Sequence, residues 1–138
     1  LTTAINFTGP VPGTIFNWVN DSPSIGLAVS GSGNIPAFTG INLSAVPVIA
    51  TITVTPSYTN GGVTCSGAAQ TFTITVNPTP AVNSTNNQTI CNGENTAPIS
   101  FSSGVTGTVF NWINNTPAIG LPASGSGNIA SFAAIAPS

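Results

Sequence analysis

The sharpest alternation of apolar and polar positions lies between residues 48 and 76. Val48, Ala50, Ile52 and Val54 alternate with Ile49, Thr51, Thr53 and Thr55, and further on Phe72, Ile74 and Val76 alternate with Thr71, Thr73 and Thr75. This period of two, rich in β-branched residues, predicts a hairpin of two half-buried strands with a threonine-coated outer face. The intervening PSYTNGGVTCSGAA reads as its loop, with Asn60-Gly61-Gly62 as the turn signal. Nearer the start, Leu1–Gly9 sets Ile5 and Phe7 on one side, and Thr14–Val19 sets Phe16 and Trp18 on one face, which predicts two strands joined by a turn at Pro10–Gly13. Asn20–Asn34 reads as a long ordered connection. Ile35–Leu43 reads as one or two further strands that bury Ile35, Ala37 and Phe38. Asn77-Pro78-Thr79-Pro80 ends the second hairpin strand and marks a domain boundary, since proline cannot donate to a ladder and stiffens the chain around it.

A second pattern runs over the first. Gly13–Phe38 returns as Gly107–Phe132, and at the same offset of 94 residues Leu1–Ser44 matches Asn95–Ser138 at 23 of 44 positions. That period exceeds the 20–50 residues of solenoid units and suits one small β-sandwich per repeat. The expected architecture is all-β, as tandem immunoglobulin-like β-sandwich modules present in one and a half copies. Residues 1–79 would be a module lacking its first strand. Residues 80–138 would be the next, with Ala81–Gly93 as its first strand region, Ala97–Phe101 as a repeat of the first unit's opening strand, and no closing hairpin. An edge left open in this way leads us to expect that the natural chain continues at both ends. A tryptophan on the second strand fills the space between the sheets of such a sandwich, so Phe16, Trp18, Phe110 and Trp112 are expected in the core. Tyr58, just past a strand, is placed to bond back to the backbone as a tyrosine corner.

Charge is almost absent. The chain has no Lys, Arg or His, and Asp21 and Glu94 are its only formally charged side chains. Without cations it has no counterion-releasing contact for nucleic acid or an anionic membrane surface. Without His or Lys it cannot assemble a nucleophile with its base, so no catalytic residue and no cofactor are expected. With 41% apolar residues a packed core is still within reach. No apolar run is long enough to cross a bilayer.

The remaining candidate sites are few. Asp21 is matched by Asn115 in the repeat and Glu94 lacks a partner, so both read as solvated loop carboxylates, and no metal site is expected. Cys65 and Cys91 fit neither a CxxC motif nor a zinc site and read as structural disulfide candidates. Two pairings are open: each with a repeat counterpart inside its own module, which is favoured, or Cys65 with Cys91 across the boundary. The sequons at Asn6, Asn20, Asn42, Asn83, Asn87 and Asn114 permit glycosylation. GSGN at 31–34 and 125–128 lacks the spacing, helix and lysine of a phosphate loop.

Taken together, QTICNG (88–93), FNW (16–18 and 110–112), SIGLAVSGSGNI, AIGLPASGSGNI, TITVTPSYTNGGVTCSG and TFTITVNPTP resemble the PKD-like, immunoglobulin-like tandem repeats of very large Bacteroidota surface proteins, among them gliding-motility adhesins and type IX secretion substrates. The resemblance covers essentially the whole chain, and it implies an extracellular, non-enzymatic spacer or filament on a bacterial cell surface. Its expected partners are neighbouring repeats, with surface polysaccharide or other copies of the chain as alternatives. Tyr58 would be the first ligand-contacting residue of a polysaccharide-binding module. In a fibre subunit, copies would instead complete one another's missing strands.

Overall fold

The computed structural model describes residues 1–136, and the chain divides into two compact units, Leu1–Thr79 and Pro80–Ser138. The first is built on an antiparallel sheet of β1 (Ile15–Asn20), β2 (Ser30–Ser32), β3 (Val48–Asn60), β4 (Val63–Ser66) and β5 (Gln70–Val76). The order is β2-β1-β3-β4, and β5 follows β4 along the same edge of β3. The predicted hairpin is β3 with β5, in a register that sets Ala50 opposite Ile74 and Ile52 opposite Phe72. Its inner face holds Ala50, Ile52 and Val54, all buried, while Thr71, Thr73 and Thr75 face solvent.

The expected fourteen-residue loop is largely strand. β3 runs on to Asn60, turns through Gly61 (φ 56°) and Gly62 (φ 81°), and returns as β4. Positive φ at both central residues gives the turn whose twist matches that of the flanking strands. Between the Val54–Gln70 and Ser57–Ser66 pairs, Thr55 and Pro56 face Gly67, Ala68 and Ala69. The extra residue makes a bulge, and it sits at Pro56, where the ladder has no donor to lose. The backbone N–H of Gly67 donates to the Pro56 carbonyl at 2.9 Å.

A ribbon faces this sheet. Ile5 and Ile35 exchange backbone hydrogen bonds of 2.8 and 3.0 Å, Thr2 N–H donates to Phe38 O, and Phe7 N–H donates to the Asn34 side chain. The strands expected at Leu1–Gly9 and Ile35–Leu43 therefore reduce to one isolated bridge, Ile5–Ile35. The Phe7 N–H, which a continued ladder would direct to a backbone carbonyl, goes to the Asn34 side chain, as that of Phe101 goes to Asn128, so the ladder does not propagate. Ala37, expected inside, is exposed, and Phe38 is half-buried. The unit is all-β, a sheet covered by a ribbon.

The core of the first unit is Trp18, Ile25, Leu27, Ile35, Ala50, Ile52 and Val54, with Phe16 half-buried against it. Ile25, Ile35 and Ile52 are fully buried, each contributing about 1.5–3 kcal/mol. The stretch expected as a long connection supplies two of these residues, through the 3-10 turn Pro23–Ile25 and Leu27, and it also contains β2. Trp18 lies opposite Gly31, and its indole occupies the space where a Gly31 Cβ would project. Asn20 is buried, and its amide donates to Leu27 O (3.0 Å) and Ala28 O (3.3 Å) while its side-chain oxygen accepts from Ser22 N–H.

The second unit rebuilds part of this plan. β6 (Asn111–Ile113) pairs with β7 (Ser124–Ser126) in the register that β1 has with β2, and the 3-10 turn Pro117–Ile119 and the Ile99–Ile129 bridge repeat as well. Among the described residues nothing pairs with the other edge of β6, which in β1 is covered by β3. Phe110 and Trp112, expected in a core, are accordingly half-buried, and Ile113 is 88% exposed.

The indole–glycine contact predicts that Gly31→Ala destabilises the first unit by about 2–3 kcal/mol through overpacking. Gly33→Ala meets no neighbouring atom, only an unfavourable φ of 77°, and should lose about 1 kcal/mol. Urea titration of the two variants checks the order; equal losses would mean that the contact is not limiting.

Candidate functional site

Of the two carboxylates, Asp21 is the one with a built environment. Its carboxylate accepts a 2.7 Å hydrogen bond from Thr51 N–H, and its own N–H donates to Thr51 O at 3.2 Å. The residue expected to be a solvated loop carboxylate thus ties the end of β1 to β3, although it remains exposed. At the matching position Asn115 accepts from the Thr116 hydroxyl instead. Glu94 uses its backbone, donating to Cys91 O and accepting from Ala134 N–H, and its side chain is exposed. Among the described residues no group of three or more His, Cys, Asp or Glu side chains is gathered in one place.

Both thiols are free and exposed. Cys65 lies on β4 opposite Tyr58, near the turn end of the hairpin. Cys91 sits in the turn where Gly93 N–H donates to Ala134 O. In the first unit the counterpart of Ala134 is Gly40, which lies against Val76 at the opposite end of the same hairpin. Neither thiol has a disulfide partner among the described residues.

Tyr58 is not a tyrosine corner. It lies within β3, its hydroxyl makes no hydrogen bond among the described residues, and its ring, 40% exposed, stands beside Gly13. It forms one wall of a cleft of about 510 Å³ in the first unit. The floor is an aromatic cluster with Phe7 at its centre, 5.8 Å from Phe16 and 6.3 Å from Phe72 between ring centroids, and Val11 and Cys65 stand at the sides. No charged residue lines it. The second unit has its own pair, Phe101 and Phe110, at the same 5.8 Å, and there Pro80, Ala81 and Val82 lie alongside. A further groove of that unit, about 620 Å³, exposes Ile119, Leu121 and Phe132, whose counterparts Ile25, Leu27 and Phe38 pack under the hairpin in the first unit.

The sequons differ in access. The Asn20 amide is sequestered, and those of Asn42, Asn83 and Asn114 donate to Val46 and Val76 carbonyls, to the Ser102 hydroxyl and to Leu121 O respectively. Asn6 and Asn87 are exposed. Sequence reasoning missed the cleft because Phe7, Phe16 and Phe72 belong to three separate segments. It also missed Gln88, whose side chain donates to Ala97 O and accepts from Ala97 N–H.

No family model, curated protein or solved structure matches this chain. Among the described residues no helix is long and apolar enough to cross a membrane.

Because an asparagine serves at the repeat position of Asp21, Asp21→Asn should keep an acceptor for Thr51 N–H and change stability by less than about 1 kcal/mol. Millimolar Ca²⁺ should leave the melting temperature of the wild-type protein unchanged. A Ca²⁺-dependent rise that disappears in Asp21→Asn would reveal a metal site at this carboxylate.

Proposed function

We propose that the chain is a stretch of tandem immunoglobulin-like modules, PKD-like in type, from a long extracellular adhesin or surface filament, where it acts as a semi-rigid stalk that displays a binding end. The observation that carries this reading is the repetition itself: the same 3-10 turn, strand pair and tryptophan-over-glycine contact are built twice, 94 residues apart. Repetition at domain length serves reach and mechanical continuity, and what the two copies keep is framework. Of the 26 residues of Gly13–Phe38, 17 are identical in Gly107–Phe132, including those at Trp18, Gly31, Ile25 and Leu27, while the one carboxylate is exchanged for an amide.

The near absence of charge suits a stalk that neither attracts nor repels ions along its length. The proline-rich junction Asn77-Pro78-Thr79-Pro80 supports limited bending between modules. The resemblance to Bacteroidota surface repeats supports the cell-surface setting. Negative-stain imaging of the native protein should show beaded filaments, whereas compact particles of one or two modules would sink the proposal.

A further inference from the structure

The outward face of the first unit's sheet carries a single chemistry. Alternation along β3 from the buried Ala50, Ile52 and Val54 puts Thr51, Thr53, Thr55, Ser57 and Thr59 on the other side. The register sets Thr73 opposite Thr51, Thr71 opposite Thr53, Ser66 opposite Ser57 and Thr64 opposite Thr59, and Thr75 continues the row on β5 beside Ile49. Every outward position of β3, β4 and β5 from Thr51 to Thr75 is therefore threonine or serine. Thr59 and Thr64 share a 2.8 Å hydrogen bond and Ser57 reaches Ile15 O at 3.5 Å, while the hydroxyls of Thr51, Thr53, Thr55, Thr71, Thr73 and Thr75 have no partner among the described residues. Within the first unit Asp21 is the only charged side chain, and Thr51 N–H holds its carboxylate at the margin of this array. The face is turned away from the ribbon, which is where the segment preceding the repeat bonds in the second unit.

We propose that this threonine face binds ice. Side chains on one face of a strand recur about every 6.8 Å, and neighbouring strands lie about 4.8 Å apart. Those two repeats lie close to the oxygen spacings on a prism face of hexagonal ice, and here both directions are filled by the same side chain. Threonine is stiff at χ1, so its hydroxyl and methyl hold their places with little loss of side-chain entropy on binding. Hydroxyls at those intervals bond the first water layer in the arrangement of the crystal, and the methyls between them exclude disordered water. A charged side chain would lose its hydration against ice with nothing to restore it, which the uncharged array avoids. Other occupants fit less well. Protein interfaces are anchored by aromatic and arginine side chains, and the rings on which a sugar would stack, Phe7, Phe16 and Phe72, lie on the inner side of the sheet. The inference does not depend on the stalk reading, because the face belongs to a single unit.

The test uses the full chain, labelled with a fluorophore at its free thiols, and a single ice crystal grown slowly from a dilute solution of it. The wild-type protein should enter the ice and facet the growing crystal, and in frozen sucrose solution it should keep ice grains small. Thr73→Tyr places a bulky ring in the array at an exposed strand position and should lose most of this uptake, with Thr71→Tyr as a second disruption of the same lattice. Thr73→Val keeps the branched shape and should retain most of it. Val63→Tyr, on the opposite side of the same hairpin, should match the wild type; circular dichroism confirms that each variant is folded. Exclusion of the wild-type protein from the crystal, or equal uptake of Thr73→Tyr, Thr71→Tyr and Val63→Tyr, would overturn the proposal. So would a face taken by another occupant: a dimer in sedimentation, or retention on insoluble cellulose, that Thr73→Tyr abolishes while ice uptake is absent throughout. Beaded filaments of a protein that ice excludes would retire this inference and leave the stalk reading standing.

Discussion

One contact sets the spacing of everything around it: the indole of Trp18 lying across Gly31. Close approach fixes β2 beside β1, and only glycine leaves room for it. With the ring held flat, the inner face of β1 continues into Asn20, whose amide holds the chain that leads to Leu27. The price is visible at the ring nitrogen, since Nε1 of both Trp18 and Trp112 lacks a hydrogen-bond partner among the described residues. Leaving a buried donor unpaired costs about 1–3 kcal/mol, and burial of the indole against β3 offsets it in the first unit. The second unit keeps the contact, Trp112 over Gly125, with less burial.

The parts of the fold that were legible in the sequence are those governed by local periodicity. Thr51, Thr53 and Thr55 against Ala50, Ile52 and Val54 declare a half-buried strand, and the strand is there. The stretch 56–69 misleads because Pro56, Gly61, Gly62 and Gly67 look like loop punctuation. In the folded chain they serve a bulge and a two-residue turn inside a longer ladder. The ribbon at Leu1–Gly9 misleads in the opposite sense: Ile5 and Phe7 alternate as a strand would, but the partner segment takes the Phe7 N–H on the Asn34 side chain. Alternation records which side is buried. It does not record whether a partner can complete a ladder.

The candidate site was less legible. Trp18 as core is readable from its strand, but the aromatic floor joins Phe7, Phe16 and Phe72 from three segments, and nothing in their spacing announces the meeting. Tyr58 stands out in the sequence for a position just after a strand and is in fact part of one. The replacement of Asp21 by Asn115 indicates that a negative charge is dispensable but conceals the hydrogen bond to Thr51 N–H.

A nearly uncharged framework that returns at a period of 94 residues is the basis of the proposed stalk of tandem modules. Single-molecule force spectroscopy of the native protein tests that idea most directly. If modules of 94 residues unfold one at a time, the trace should show a regular sawtooth whose contour-length steps are each about 300 Å. A single rupture, or steps of irregular length, would contradict it.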